Sequence, residues 1–167
     1  MFLGKILAYT GMLENRGVTW FPSYGAEIRG GTANCTVIIS DELIGSPVVT
    51  NPDILVVMSD ASLNKFLPRL KKNGLLIFDS SFIKQPKLLD NIEIVGVPAT
   101  EISNKIGNTK SANMVILGAV IAKTGLLKKT SVFEALDSSI PERKKKNIEV
   151  NKKAINEGIR FIEDKKG

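Results

Sequence analysis

Between Pro22 and Thr32 the chain sets a tyrosine, an acid and an arginine among three glycines, in the run PSYGAEIRGGT. Arg29 offers a planar fork of donors suited to a carboxylate or a phosphate. Gly30 and Gly31 let backbone N–H groups approach an anion closely. Ser23 and Thr32 add hydroxyls. The chemistry on offer is anion recognition or a polar contact with a partner. A plainer reading stands beside it: Pro22 and the glycines build turns, Tyr24 lays its ring on the surface, and Glu27 and Arg29 form a surface pair worth at most about 1 kcal/mol. The spacing is neither GxGxxG nor a Walker loop, so it is not a nucleotide motif.

Two further stretches could do chemistry. GNTKSANMVILGA (107–119) opens an apolar helix behind Asn108, Thr109 and Lys110. Thr109 or Ser111 could cap that helix, and its N-terminus could attract an anion. DSSFI (79–83) follows an expected parallel strand, and reads as a turn held by serine hydroxyls.

The residues that are missing narrow the field. The chain has no histidine and one cysteine, Cys35. Histidine-based triads, general bases and metal sites are therefore unavailable. One thiolate cannot hold an iron–sulfur cluster, which takes four. Cys35 lies in an expected strand and reads as an inert core thiol. The net charge is +6 over 167 residues, and much of it sits at the end. From Glu142 onward there are nine Lys or Arg against five Asp or Glu. Those lysines alternate with acids around Phe161 as the one aromatic, a pattern unlike a nucleic-acid surface. No apolar run reaches about 18 residues, so no membrane helix is expected. The start, MFLGKILAYTG, is poorly charged for a signal peptide and lacks a cleavage site, so a cytoplasmic location is expected.

The elements that position these residues follow from periodicity. Residues 2–14 give a loose helical face ending near Gly17, and VTWF (18–21) is a short strand. ANCTVIIS (33–40) reads as a strand, and DELIGSPVV (41–49) as a turn with a return strand broken by Gly45 and Pro47. ILVVM (54–58), LLIFD (75–79) and IEIVGVPA (92–99) read as buried parallel strands. Between the first two a helix starts at Ser59 or Asp60, meets Pro68, and exits at Gly74. Helices are expected near 100–106, 111–123 and 131–136. A charged one at 142–164 carries Ile148, Ile155, Ile159 and Ile162 on one stripe. The 111–123 helix is apolar nearly all round and should be buried. The expected class is α/β, a single 1–167 domain with a mostly parallel sheet in a Rossmann-like arrangement of three layers.

These stretches together resemble a known family. TWFPSYGAEIRGGTANCTVIISDELIGSPVV, PDILVVMSDASLNKFLPRLKKNGLLIFDSS and GNTKSANMVILGA are similar to the gamma subunit, or gamma domain, of 2-oxoacid:ferredoxin oxidoreductases. The likeness is strongest to the 2-oxoglutarate or branched-chain 2-oxoacid type and covers most of the chain to about residue 136. It implies a non-redox subunit of an enzyme that decarboxylates a 2-oxoacid, delivers the acyl group to coenzyme A and passes electrons to ferredoxin. It implies no cofactor on this chain. Thiamine diphosphate belongs to the alpha and beta partners, and the iron–sulfur clusters to beta or delta. On the matching motif, Ser23, Tyr24, Gly25, Glu27, Arg29, Gly30, Gly31 and Thr32 form a ligand- or subunit-facing loop, with Asn108 and Asn113 as secondary candidates. Arg29 and the glycines would face an anion, such as a coenzyme A phosphate or a partner carboxylate. Tyr24 and Glu27 would order the loop. Family members begin with a short strand and a GxGGQG-type loop, whereas this sequence starts at the helix that follows them. The expected fold therefore lacks that strand and loop. A misassigned start, a truncation or a partner-filled slot would each account for it. The reading from another class is a stand-alone anion- or nucleotide-binding module using the same loop.

Overall fold

The structure is a computed structural model that describes residues 1–24, 32–84, 86, 91–140 and 146–165. In chain order it contains α1 (Phe2–Leu13), β1 (Gly17–Ser23), β2 (Asn34–Ser40), β3 (Ile54–Val57), α2 (Asp60–Phe66), β4 (Leu75–Asp79), β5 (Glu93–Val97), α3 (Ala99–Lys105), α4 (Ala112–Thr124), α5 (Lys129–Ser139) and α6 (Lys146–Asp164). Short 3-10 turns occupy Leu67–Arg69 and Thr109–Ser111. The chain forms two compact units, Met1–Val49 with Gly125–Glu149, and Thr50–Thr124 with Val150–Gly167.

In the first unit β1 and β2 pair as an antiparallel ribbon, from Gly17 opposite Ser40 to Ser23 opposite Asn34. Helix α1 packs on this ribbon and on α5, burying Ile6 and Thr10. The helix is left through Asn15, whose φ is 58°. Its N–H donates to the Met12 carbonyl, and the next N–H, of Arg16, to Gly11. Asparagine tolerates this left-handed conformation, so the stop expected at Gly17 falls two residues earlier and Gly17 is free to begin β1. The segment after β2 makes no return strand. The Ser40 hydroxyl accepts from the Glu42 N–H at 3.0 Å, and the Ser46 hydroxyl accepts from the Val48 N–H at 3.1 Å. Such local turns satisfy backbone that a ladder would otherwise use. Two side-chain contacts hold the 125–128 segment. The Glu14 carboxylate accepts from the Lys128 N–H at 2.7 Å. Arg16 donates to the Leu126 carbonyl while its other nitrogens grip Asp41 at 2.8 and 3.2 Å.

The second unit is built on a parallel sheet in the order β3-β4-β5. Register places Leu55 beside Leu76 and Val57 beside Phe78. With Leu63, Leu70 and Ile83 these make one apolar cluster. Ile77 points to the opposite face and is equally buried, with α4 lying against β4. A central parallel strand covered on both faces accounts for the unbroken apolar run LLIF. Ser59 caps α2, its hydroxyl accepting from the Ser62 N–H. Pro68 then tightens the chain into the 3-10 turn. The left-handed residue at the exit is Asn73, with φ 61°, rather than Gly74. Helix α4 is buried from Met114 to Ile121, as its all-round apolar sequence requires. Its packing against α6 is unusually close at Gly118 and Gly158. At its far end Lys123 pairs with Glu93 at the start of β5.

Candidate functional site

The described residues of the stretch singled out by its chemistry adjoin the β1–β2 ribbon. Ser23 is the last residue of β1 and pairs with Asn34 across the ribbon. Tyr24 follows it with 73% of its surface exposed. On the β2 side the Thr32 carbonyl accepts from the Asn34 side chain, two residues on, at 3.5 Å. Gly25, Glu27, Arg29, Gly30 and Gly31 lie outside the described residues. The strands flanking the loop have a composition of their own. Residues 17–24 and 32–40 contain no Lys, Arg, Asp or Glu, in a chain that is 24% charged. Trp20 and Phe21 are nevertheless 39% and 49% exposed. Cys35 is half-buried, with its sulfur against Gly4 of α1, where a β-carbon would displace it. Cys35 therefore lies in a strand as expected, but it is only half-buried rather than in the core.

The second stretch is arranged differently from its expected capping. Neither Thr109 nor Ser111 supplies the cap. The Asn108 side chain does, accepting from the Lys110 N–H at 3.1 Å and so closing the 3-10 turn ahead of α4. The Ser111 hydroxyl instead donates to the Asn151 side-chain oxygen of α6 at 3.1 Å. Asn113 sits half-buried in the first turn of α4. Asn108 is thereby occupied with its own backbone, and the structure does not bring it together with Asn113 as a pair.

The third stretch holds a residue whose role the serine-based reading missed. Asp79 ends β4 and is 1% exposed. One carboxylate oxygen accepts from the N–H groups of Ser81, Ala99 and Thr100 at 3.0, 3.1 and 3.4 Å. The other accepts from the Thr100 hydroxyl at 2.6 Å. Ser81 contributes once, accepting from the Glu101 N–H at 3.1 Å. A buried carboxylate at a helix N-terminus offsets its desolvation through these charge-assisted bonds and the helix dipole. Its oxygens are thus committed to positioning α3. The cue in the sequence was an acid closing an apolar strand about twenty residues before a helix start.

Among the described residues no group of three or more His, Cys, Asp or Glu side chains could hold a metal ion. The described residues beside the stretch offer uncharged strands and exposed aromatic rings.

The pattern of the pyruvate ferredoxin/flavodoxin oxidoreductase family matches residues 1–161. The chain belongs to this family. Over 133 residues it is 40% identical to the 2-oxoglutarate synthase subunit KorC of Methanothermobacter marburgensis, covering 75% of this chain and 72% of that one. Over 158 residues it is 36% identical to the ketoisovalerate oxidoreductase subunit VorA of the same organism, covering 93% of this chain and 32% of that one. The chain thus spans about a third of the length of the ketoisovalerate subunits it matches. Among solved structures, the keto/oxoacid ferredoxin oxidoreductase gamma subunit of Geobacter sulfurreducens superposes with a TM-score of 0.80 at 30% identity, covering 96% of this chain and 89% of that one. The α/β fold is that of the family's gamma subunits, and the resemblance read from the PSYG-x-E-x-RGG stretch is borne out.

Proposed function

We propose that this chain is the gamma component of a multisubunit 2-oxoacid:ferredoxin oxidoreductase. The complex oxidatively decarboxylates a 2-oxoacid to an acyl-coenzyme A and passes the electrons to ferredoxin. The observation that carries the reading is the family match along residues 1–161, together with relatives that are subunits of such enzymes. The donor chemistry of the chain agrees with a non-redox role, since one cysteine and no histidine do not fit an iron–sulfur cluster. Thiamine diphosphate then resides on the alpha and beta partners and the clusters on beta or delta, and the chain is inactive alone. The complex works in the cytoplasm.

In this reading Ser23, Tyr24, Gly25, Glu27, Arg29, Gly30, Gly31 and Thr32 face a ligand or a neighbouring subunit. Arg29 and the adjacent glycine N–H groups take the anionic partner, a coenzyme A phosphate or a carboxylate. Asn108 and Asn113 contribute less, because Asn108 caps its own turn. Reconstitution tests the whole. Alpha and beta partners assembled with this chain should reduce ferredoxin in the presence of a 2-oxoacid and coenzyme A. Full turnover without the chain would remove the proposal.

A further inference from the structure

We infer that the outer half of the β1–β2 ribbon, around Trp20, Phe21 and Tyr24, is where this chain docks on one particular partner. That partner is a polypeptide similar to the two thirds of the ketoisovalerate oxidoreductase subunit lying outside the match. The inference rests on the proposed function and names the surface and the occupant.

Three observations carry it. First, α1 covers the ribbon only thinly towards its end. Gly4 of α1 reaches Cys35, Val37 and Trp20, yet Trp20 remains partly exposed. Side chains alternate along a strand, so Phe21 lies on the side of the ribbon opposite Trp20, and exposed rings occur on both sides of its end. Second, the described ribbon carries no charge at all. Ordinary protein surface is rich in Lys and Glu, whereas the centres of protein interfaces are depleted of charge and enriched in Trp, Tyr and Phe. An uncharged, aromatic, hydrogen-bonding strand surface suits another protein. Third, the same domain occurs in two forms among the relatives. It makes up most of a chain in the 2-oxoglutarate synthase subunit KorC, at 72% of its length, and a third of the longer VorA subunit, at 32%. A domain joined to further polypeptide in one relative is held beside that polypeptide by its linkage. Where the two are separate, a surface must do the same work.

The test uses the full chain co-expressed with such a polypeptide. Phe21→Asp and Tyr24→Asp replace exposed rings without touching the α1 contact, so both variants should melt within a few degrees of wild type. Phe82→Asp is the control, because Phe82 is 68% exposed but belongs to the other compact unit. Binding is read by titration and by co-elution. The expected result is a Kd weakened tenfold or more by Phe21→Asp and Tyr24→Asp, and unchanged by Phe82→Asp. Wild-type binding by both ribbon variants would overturn the inference and leave the proposed function standing. So would loss of binding with Phe82→Asp alone. A wild-type chain that fails to bind the polypeptide would overturn both. A wild-type chain that instead forms a dimer, dispersed by Phe21→Asp, would give the surface to a second copy and overturn the inference.

Discussion

Gly118 of α4 and Gly158 of α6 are in reciprocal contact. A β-carbon on Gly118 would overlap the Ile155 carbonyl oxygen, and one on Gly158 would overlap the Val115 carbonyl oxygen. Each glycine thus receives the backbone of the other helix three residues before the partner glycine. In an isolated helix Gly→Ala stabilises by about 1 kcal/mol. Here the added methyl meets backbone atoms, which cannot rotate away, and overpacking of that kind costs about 1–3 kcal/mol. The clash wins.

Gly118→Ala and Gly158→Ala should therefore each destabilise the chain by about 1–2 kcal/mol in urea unfolding, the clash with backbone less the propensity gain. The double variant should lose less than the sum, because one helix shift relieves both clashes. Gly45→Ala, where no atom lies within 4 Å of the new carbon, is the neutral control.

Asp79→Asn should destabilise by about 2 kcal/mol, since it removes the charge that faces the α3 N-terminus and exchanges an acceptor for a donor opposite buried N–H groups. Thr100→Val loses a single bond to the same carboxylate and should cost less, near 1 kcal/mol. If Thr100→Val proved the costlier of the two, the carboxylate would not be the organising group.

Arg16 and Asp41 form a two-pronged pair, but their surroundings differ. The Arg16 side chain is 19% exposed and Asp41 80%. Exposed pairs contribute little, whereas Arg16 also serves the Leu126 carbonyl. Arg16→Ala should consequently cost clearly more than Asp41→Ala. A double-mutant cycle should return a coupling of no more than about 1 kcal/mol for the pair itself.

Arg29→Ala separates a ligand contact from a structural one. In the reconstituted complex it should lower 2-oxoacid-dependent ferredoxin reduction about tenfold or more, as loss of a charged contact does, with the melting temperature of the chain almost unchanged. Equal losses in activity and stability would make Arg29 a structural residue.

Much of this architecture is written in local patterns. The apolar runs 54–58, 75–79 and 92–99 locate β3, β4 and β5 because a strand buried on both faces needs no polar alternation. The all-apolar 111–123 run announces the buried α4 for the same reason. What the pattern misplaces are features decided by competition. At 41–49, Leu43 and Val48 suggest a strand, but both are exposed and serine side chains capture the backbone. At the ends of α1 and of the Leu67–Arg69 turn, asparagines take the left-handed turn that nearby glycines could also have taken. The Gly118–Gly158 contact was illegible, because a helical glycine shows its reason only when the other helix is in place. The anion chemistry offered by Arg29 and its glycines is a reading of the sequence, and those residues lie outside the described ones. The antiparallel ribbon that flanks them came from the pairing of Ser23 with Asn34.

A ribbon without charges has few gatekeepers, Pro22 of β1 being one. Cys35–Ser40 is β-prone, lacks proline, and is flanked by acids only at Asp41 and Glu42. Six-residue segments of that composition stack readily into cross-β assemblies when an edge is left open. A chain with this strand edge left open would carry its own seed for aggregation. The composition that suits the ribbon to a protein contact is thus also the composition that favours self-association.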